Sequence, residues 1–267
     1  MSDRQLTTFP DRNEYEQAVA LLDRLGVSYG IIEPPGWLAR VSAPALVMGH
    51  ESRNRWSEAC GGRIPSSGWV EYRPAARTIE EAEAEEFADD IFGAASITVL
   101  QPCVADDTKL RFVARLGGNI EPAMPYLNAV MQQASYSQQA QTLTHMEQYR
   151  MIVLYPRKIT VAKADDIWDC WLTLEEIRRR TNRAWAARSS VRPCYETRKK
   201  PPALEIFKRL LGTNCGRCGE MTCMAFALRL WSGEVEIGAC SPVFEPQNRE
   251  LKDALVEICA GLGIGIG

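Results

Sequence analysis

The chain has 267 residues and carries 31 lysine and arginine residues against 34 aspartate and glutamate residues, a formal net charge of −3 at pH 7. That near balance argues against general nucleic-acid binding, and no apolar run is long enough to span a bilayer. Nine cysteines behind a polar N-terminus without a signal-peptide pattern predict a cytoplasmic protein using thiolate chemistry, not a disulfide framework.

Alternating short strands and helices predict an α+β protein of several small domains. Asn13 to Leu25 places Tyr15, Val19, Leu22 and Leu25 at helical spacing, with Gly26 as the stop. Strands are expected over Tyr29 to Ile32, Ala45 to Met48 and Gly68 to Tyr72, with a helix over Glu51 to Ala59. These elements make residues 1–93 a small α/β sandwich in which Cys60, beside Gly61, is expected to be a buried or half-buried thiol. Thr78 to Phe92 carries seven acidic residues between Glu80 and Asp90, and Ile79, Ala82, Phe87 and Ile91 could share one face, which predicts a solvated amphipathic helix.

A second domain is expected over residues 94–188. Ser96 to Leu100, Lys109 to Leu116, Thr142 to His145, Arg150 to Tyr155 and Lys158 to Ala162 predict an antiparallel strand meander. Ala123 to Gln133 predicts a helix opened by Pro122, and Asp165 to Ala187 a long helix across one sheet face. Residues 189–202 combine Arg192, Arg198, Lys199 and Lys200 with Pro193, Pro201 and Pro202, the composition of a basic linker or hinge. Two histidines, His50 and His145, have no acid or cysteine at a catalytic spacing. There is no Ser/His/Asp pattern, phosphate loop or dinucleotide fingerprint, so no independent catalysis is expected.

The chemistry concentrates in residues 203–267. Cys215, Cys218, Cys223 and Cys240 form a C-x2-C-x4-C-x16-C pattern, with the first three in a glycine-rich turn and Met224 to Trp231 at helical spacing before the fourth. An iron–sulfur cluster needs four thiolates and close backbone approach, which Gly212, Gly216 and Gly219 permit. Cys223 would open the helix, where the positive dipole end favours a thiolate. Zinc is the competitor, although its four-cysteine sites usually pair two C-x2-C knuckles or include histidine. Cys103, Cys170, Cys194 and Cys259 are isolated and are expected to be core thiols. Gln247 to Cys259 predicts a closing helix, and Gly261 to Gly267 a frayed tail.

Thr213-Asn214-Cys215-Gly216, Cys218-Gly219, Thr222-Cys223-Met224-Ala225-Phe226-Ala227, Gly233-Glu234 and Cys240 together resemble a small four-cysteine iron–sulfur domain. That domain occurs in the corrinoid iron–sulfur protein large subunit of acetyl-CoA decarbonylase/synthase and in the B subunit of the Rnf electron-transport complex. The resemblance implies a [4Fe-4S] cluster bound by Cys215, Cys218, Cys223 and Cys240. It departs at Ser241, which stands where those proteins commonly have proline directly after the last cysteine. Gly118-Asn119-Ile120-Glu121-Pro122 to Tyr126-Leu127-Asn128-Ala129-Val130, with Leu154-Tyr155-Pro156-Arg157, resembles a domain that precedes the four-cysteine domain in iron–sulfur proteins of anaerobes and methanogens. The resemblance implies an electron-transfer or accessory component for a partner metalloenzyme, with cluster or metallocofactor assembly and delivery as the alternative. A zinc-knuckle interaction protein is a third reading.

Overall fold

The structure is a computed structural model that describes residues 4–75, 79–131, 133–147, 150–198, 202–261 and 264. In chain order its elements are β1 (Arg4–Thr8), α1 (Arg12–Leu25), β2 (Gly30–Ile32), β3 (Ala45–Gly49), α2 (His50–Cys60), β4 (Val70–Glu71), β5 (Ala95–Pro102) and β6 (Leu110–Leu116). There follow α3 (Met124–Val130), β7 (Ala134–Ser137), β8 (Thr142–Glu147), β9 (Arg150–Tyr155), β10 (Lys158–Ala164), α4 (Ile167–Ala186), α5 (Ala203–Phe207), α6 (Cys223–Ser232) and α7 (Arg249–Gly261). The strands form two sheets, ordered β2-β3-β1-β4 and β5-β6-β10-β9-β8-β7, in an α+β protein.

By contacts the chain divides into two compact units, Met1–Met124 with Leu154–Ser190, and Pro125–Val153 with Val191–Gly267. Each draws on two separated stretches, unlike the consecutive boundaries at 93, 188 and 202 that composition suggests. The reason lies in strand pairing, which sequence order does not reveal: β10 returns to lie antiparallel to β6, with Ile159 opposite Ala114.

In the first unit β1 is a strand that its polar, short RQLTT segment hid. It pairs with both β3 and β4, setting Leu6 opposite Val47 and Val70. Helix α1 begins where the Asp11 carboxylate accepts the N–H groups of Asn13 and Glu14, and it ends at Gly26 in the left-handed region. Its buried residues Tyr15, Ala18 and Leu22 join Phe9, Leu46, Met48 and Trp56 in one core. Cys60 is part of that core at 2% exposure, its Sγ accepting the Ile64 N–H at 3.3 Å.

The acidic stretch is not a helix where it is described, from Ile79 onward. It runs irregularly along α4; Glu80, Glu81, Glu83, Glu86 and Asp89 are exposed, while other groups of the stretch meet that helix's side chains. Arg178 donates to the Glu85 carbonyl at 2.6 Å and to both carboxylate oxygens of Glu175, and Arg183 pairs with the Glu85 carboxylate at 2.6 Å. Arg183 holds that carboxyl below its ordinary range. Asn182 donates to Asp90 at 2.8 Å and Trp185 to Asp89 at 2.8 Å. Phe92, fully buried, ends the stretch. Gly118 follows from this arrangement, since a Cβ there would collide with the Ile91 carbonyl oxygen. The two quoted motif stretches touch, with the Ile120 N–H donating to the Pro156 carbonyl at 2.9 Å.

In the second unit α3 is shorter than expected, ending at Val130, and β7 and β8 form a hairpin with Tyr136 opposite Leu143. Residues 191–198 are anchored by hydrogen bonds within the unit. Asn128, fully buried, donates to the carbonyls of Cys194 and Glu196 at 2.9 and 3.0 Å, and the Thr197 hydroxyl donates to the Tyr136 carbonyl at 2.8 Å. Arg198 spends its charge inward, donating to the carbonyls of Met131 and Ala134 at 2.8 and 3.1 Å. Lys199, Lys200 and Pro201 of the expected basic linker lie outside the described residues.

Candidate metal centre

The cysteine segment is built on its own apolar core. Ile206 of α5, Phe226 and Leu230 of α6, Val243 of the turn after Cys240, and Leu255 of α7 are all fully buried there, each such side chain contributing about 2 kcal/mol. Ile264 joins them at 6% exposure, and its N–H donates to the Cys259 carbonyl at 2.9 Å, so that part of the tail is docked, not frayed.

Helix α6 starts at Cys223. The Thr222 hydroxyl oxygen accepts the Ala225 N–H at 3.0 Å, and Gly233 closes the helix in the left-handed region. The buried face is Cys223, Phe226, Ala227 and Leu230, the i, i+3, i+4, i+7 set that starts from the cysteine itself. Of the expected apolar set Met224, Ala227, Leu228 and Trp231, Ala227 lies on this buried face, whereas Leu228 stands 53% exposed, so the face is rotated from the expected one. A cysteine counted as a polar ligand hid its place in the apolar stripe.

The preceding loop turns through four left-handed residues, Gly212, Asn214, Gly216 and Gly219, with φ of 69°, 50°, 71° and 85°. Open space surrounds these three glycines where a Cβ would sit, so backbone conformation, not crowding, selects glycine there. The fourth cysteine, Cys240, stands immediately before a 3-10 turn, Ser241–Phe244, in which Pro242 is buried and its carbonyl accepts the Asn248 amide at 2.8 Å. The serine before Pro242 thus leaves the turn intact.

These elements bring the four predicted cysteines to one hollow. Cys215, Cys218, Cys223 and Cys240 line it with Thr213, Asn214, Gly216 and Glu220, while Leu211, Phe226 and Pro242 form its apolar wall. The thiols differ in setting: Cys215 is exposed, Cys218 half-buried, Cys223 and Cys240 buried. The Arg217 N–H and the Thr213 hydroxyl hold the Cys215 thiol below its ordinary range. Burial pushes Cys240 up, with the other three sulfurs adding to the shift. Cys259, in the same core but outside the hollow, is pushed up to about 11 by burial and stays a neutral packing thiol. Cys60, Cys103 and Cys170 are buried elsewhere, and Cys194 accepts from the Asn128 amide at 3.4 Å. Among the described residues no three His, Cys, Asp or Glu side chains close on a single-ion cage. A hollow with four thiols on its border and a loop of left-handed turns fits a polynuclear iron–sulfur group.

Residues 210–242 match a protein-family model described as "Putative Fe-S cluster". This segment is an iron–sulfur cluster domain. The chain is 39% identical over 64 residues to the corrinoid/iron-sulfur protein large subunit of Moorella thermoacetica, covering 24% of this chain and 14% of that one. It is 38% identical over 60 residues to acetyl-CoA decarbonylase/synthase complex subunit gamma of Methanocaldococcus jannaschii, 22% of this chain and 12% of that one. The subunit gamma of Methanosarcina acetivorans is 39% identical over 69 residues, 24% and 15% of the two chains. The matching stretch thus spans a small part of each relative. No solved structure matches the chain.

Proposed function

We propose that the chain binds one [4Fe-4S] cluster through Cys215, Cys218, Cys223 and Cys240 and serves as an electron-transfer or accessory component for a partner metalloenzyme. The observation that carries this reading is the convergence of those four cysteines on one hollow inside the matched domain. When bound, the cluster supplies one-electron chemistry. The chain's own groups do the rest. Leu211, Phe226 and Pro242 keep water from one side, and the Arg217 N–H and Thr213 hydroxyl bond the Cys215 sulfur. A protein partner is proposed because the relatives are named as subunits of larger complexes. No disulfide joins any of the nine cysteines, which suits a reducing cytoplasm. Among the described residues no helix is long and apolar enough to cross a membrane.

The exposure of Cys215 favours one second reading, delivery of the cluster to an apo-acceptor, because an open corner eases ligand exchange. Anaerobic purification tests both. The expected result is a broad absorption near ~400 nm with about four iron and four sulfide per chain, abolished in Cys218→Ala. A colourless protein with one zinc would reject both readings and leave a structural knuckle. Reversible redox cycling with iron retained identifies the electron carrier, whereas loss of iron to an apo-acceptor identifies delivery.

A further inference from the structure

The loop and the helix that carry the cysteines are joined by one side chain. Asn214 accepts the Cys223 N–H on its Oδ1 at 2.8 Å, a bond that spans nine residues of sequence. The Cys223 N–H is a first-turn donor that α6 itself leaves without a partner. Thr222 serves the next cap position through the Ala225 N–H, so the start of the helix is held from two sides. Asn214 is also the one residue with a side chain among the four left-handed positions of the loop, with φ of 50°. Asparagine is the residue that combines tolerance of that region with an uncharged acceptor oxygen. Its neighbours are Thr213, whose hydroxyl reaches the Cys215 sulfur, and Cys215 itself.

We propose that Asn214 is the positioning residue of the cluster site: its left-handed backbone and its amide oxygen lock the turn presenting Cys215 to the helix start presenting Cys223. The inference rests on the cluster reading for its purpose, while the lock itself is a property of the chain. Glycine at 214 keeps the backbone and removes the acceptor. Alanine removes the acceptor and strains the backbone. Aspartate keeps both but sets a carboxylate beside anionic thiolates, which disfavours the more negative reduced state of the site.

The test uses the full chain with Asn214→Gly, Asn214→Ala and Asn214→Asp. In the metal-free protein, exchange of the Cys223 amide hydrogen is expected to quicken roughly five-fold in the Gly and Ala variants and to stay near wild type in the Asp variant. In the loaded protein, iron loss to a chelator is expected to be fastest in Ala, then Gly, with Asp closest to wild type. The Asp variant is also expected to show a lower midpoint potential. Unchanged amide exchange and unchanged chelator rates in the Gly variant would overturn the proposal. If the wild type binds no iron and sulfide, the cluster reading fails, and the amide exchange still decides the lock.

Discussion

Among single residues, the contrast between thiols gives the sharpest expectation. Cys215 is exposed and held below its ordinary range, whereas Cys259 is fully buried and pushed up to about 11. In metal-free protein at neutral pH, iodoacetamide should label Cys215 first and Cys259 last, since the thiolate is the nucleophile and access limits the rest. Peptide mass mapping over time checks the order, and equal rates at the two positions would show that the core around α7 is open. The four cysteines that share the hollow stand out in the sequence by their spacing. The work of Thr213 and Asn214 does not, because a hydrogen bond across nine residues leaves no periodicity to find.

For whole elements, α4 shows how charge replaces hydrophobic pattern. Glu175 and Arg178 are buried to 3% and 2% side-chain exposure and joined at 2.8 Å, with Arg178 also holding the Glu85 carbonyl. Glu175→Ala leaves a buried guanidinium short of its main partner and should cost about 3 kcal/mol or more, read as a lower urea midpoint. A loss under about 1 kcal/mol would mean that Asp90 and the Glu85 carbonyl suffice alone. The same pairing explains why the acidic stretch failed to become a helix. Most of its carboxylates are solvated, as the sequence suggests, but only the fold supplies the arginines of α4 that Glu85 and Asp90 meet. Helix α6 erred by rotation instead, since its apolar face begins with a ligand cysteine.

At the level of the whole molecule, the cluster should couple to stability. A bound group that needs the folded arrangement of four thiolates stabilises that arrangement by its binding free energy. Loading the anaerobic protein with iron and sulfide is therefore expected to raise its unfolding temperature by at least about 5 °C, and chelation to reverse the gain. Calorimetry of loaded, chelated and Cys218→Ala protein checks this, and identical melting of all three would show that the thiols take no part in holding the fold.

The sequence alone determined what local chemistry can determine: the α+β character, most strands and helices, and the cysteine spacing of an iron–sulfur domain, each set by residues close in the chain. Tertiary structure decided the rest, because those features depend on partners far along the chain. Strand β1 exists because β3 and β4 flank it, and the acidic stretch runs irregularly along α4, whose Arg183 meets Glu85. Residues 191–198 are anchored because Asn128 takes the carbonyls of Cys194 and Glu196, where composition alone leaves a linker or a hinge open. The cysteine loop takes its form because Asn214 reaches the helix that bears Cys223.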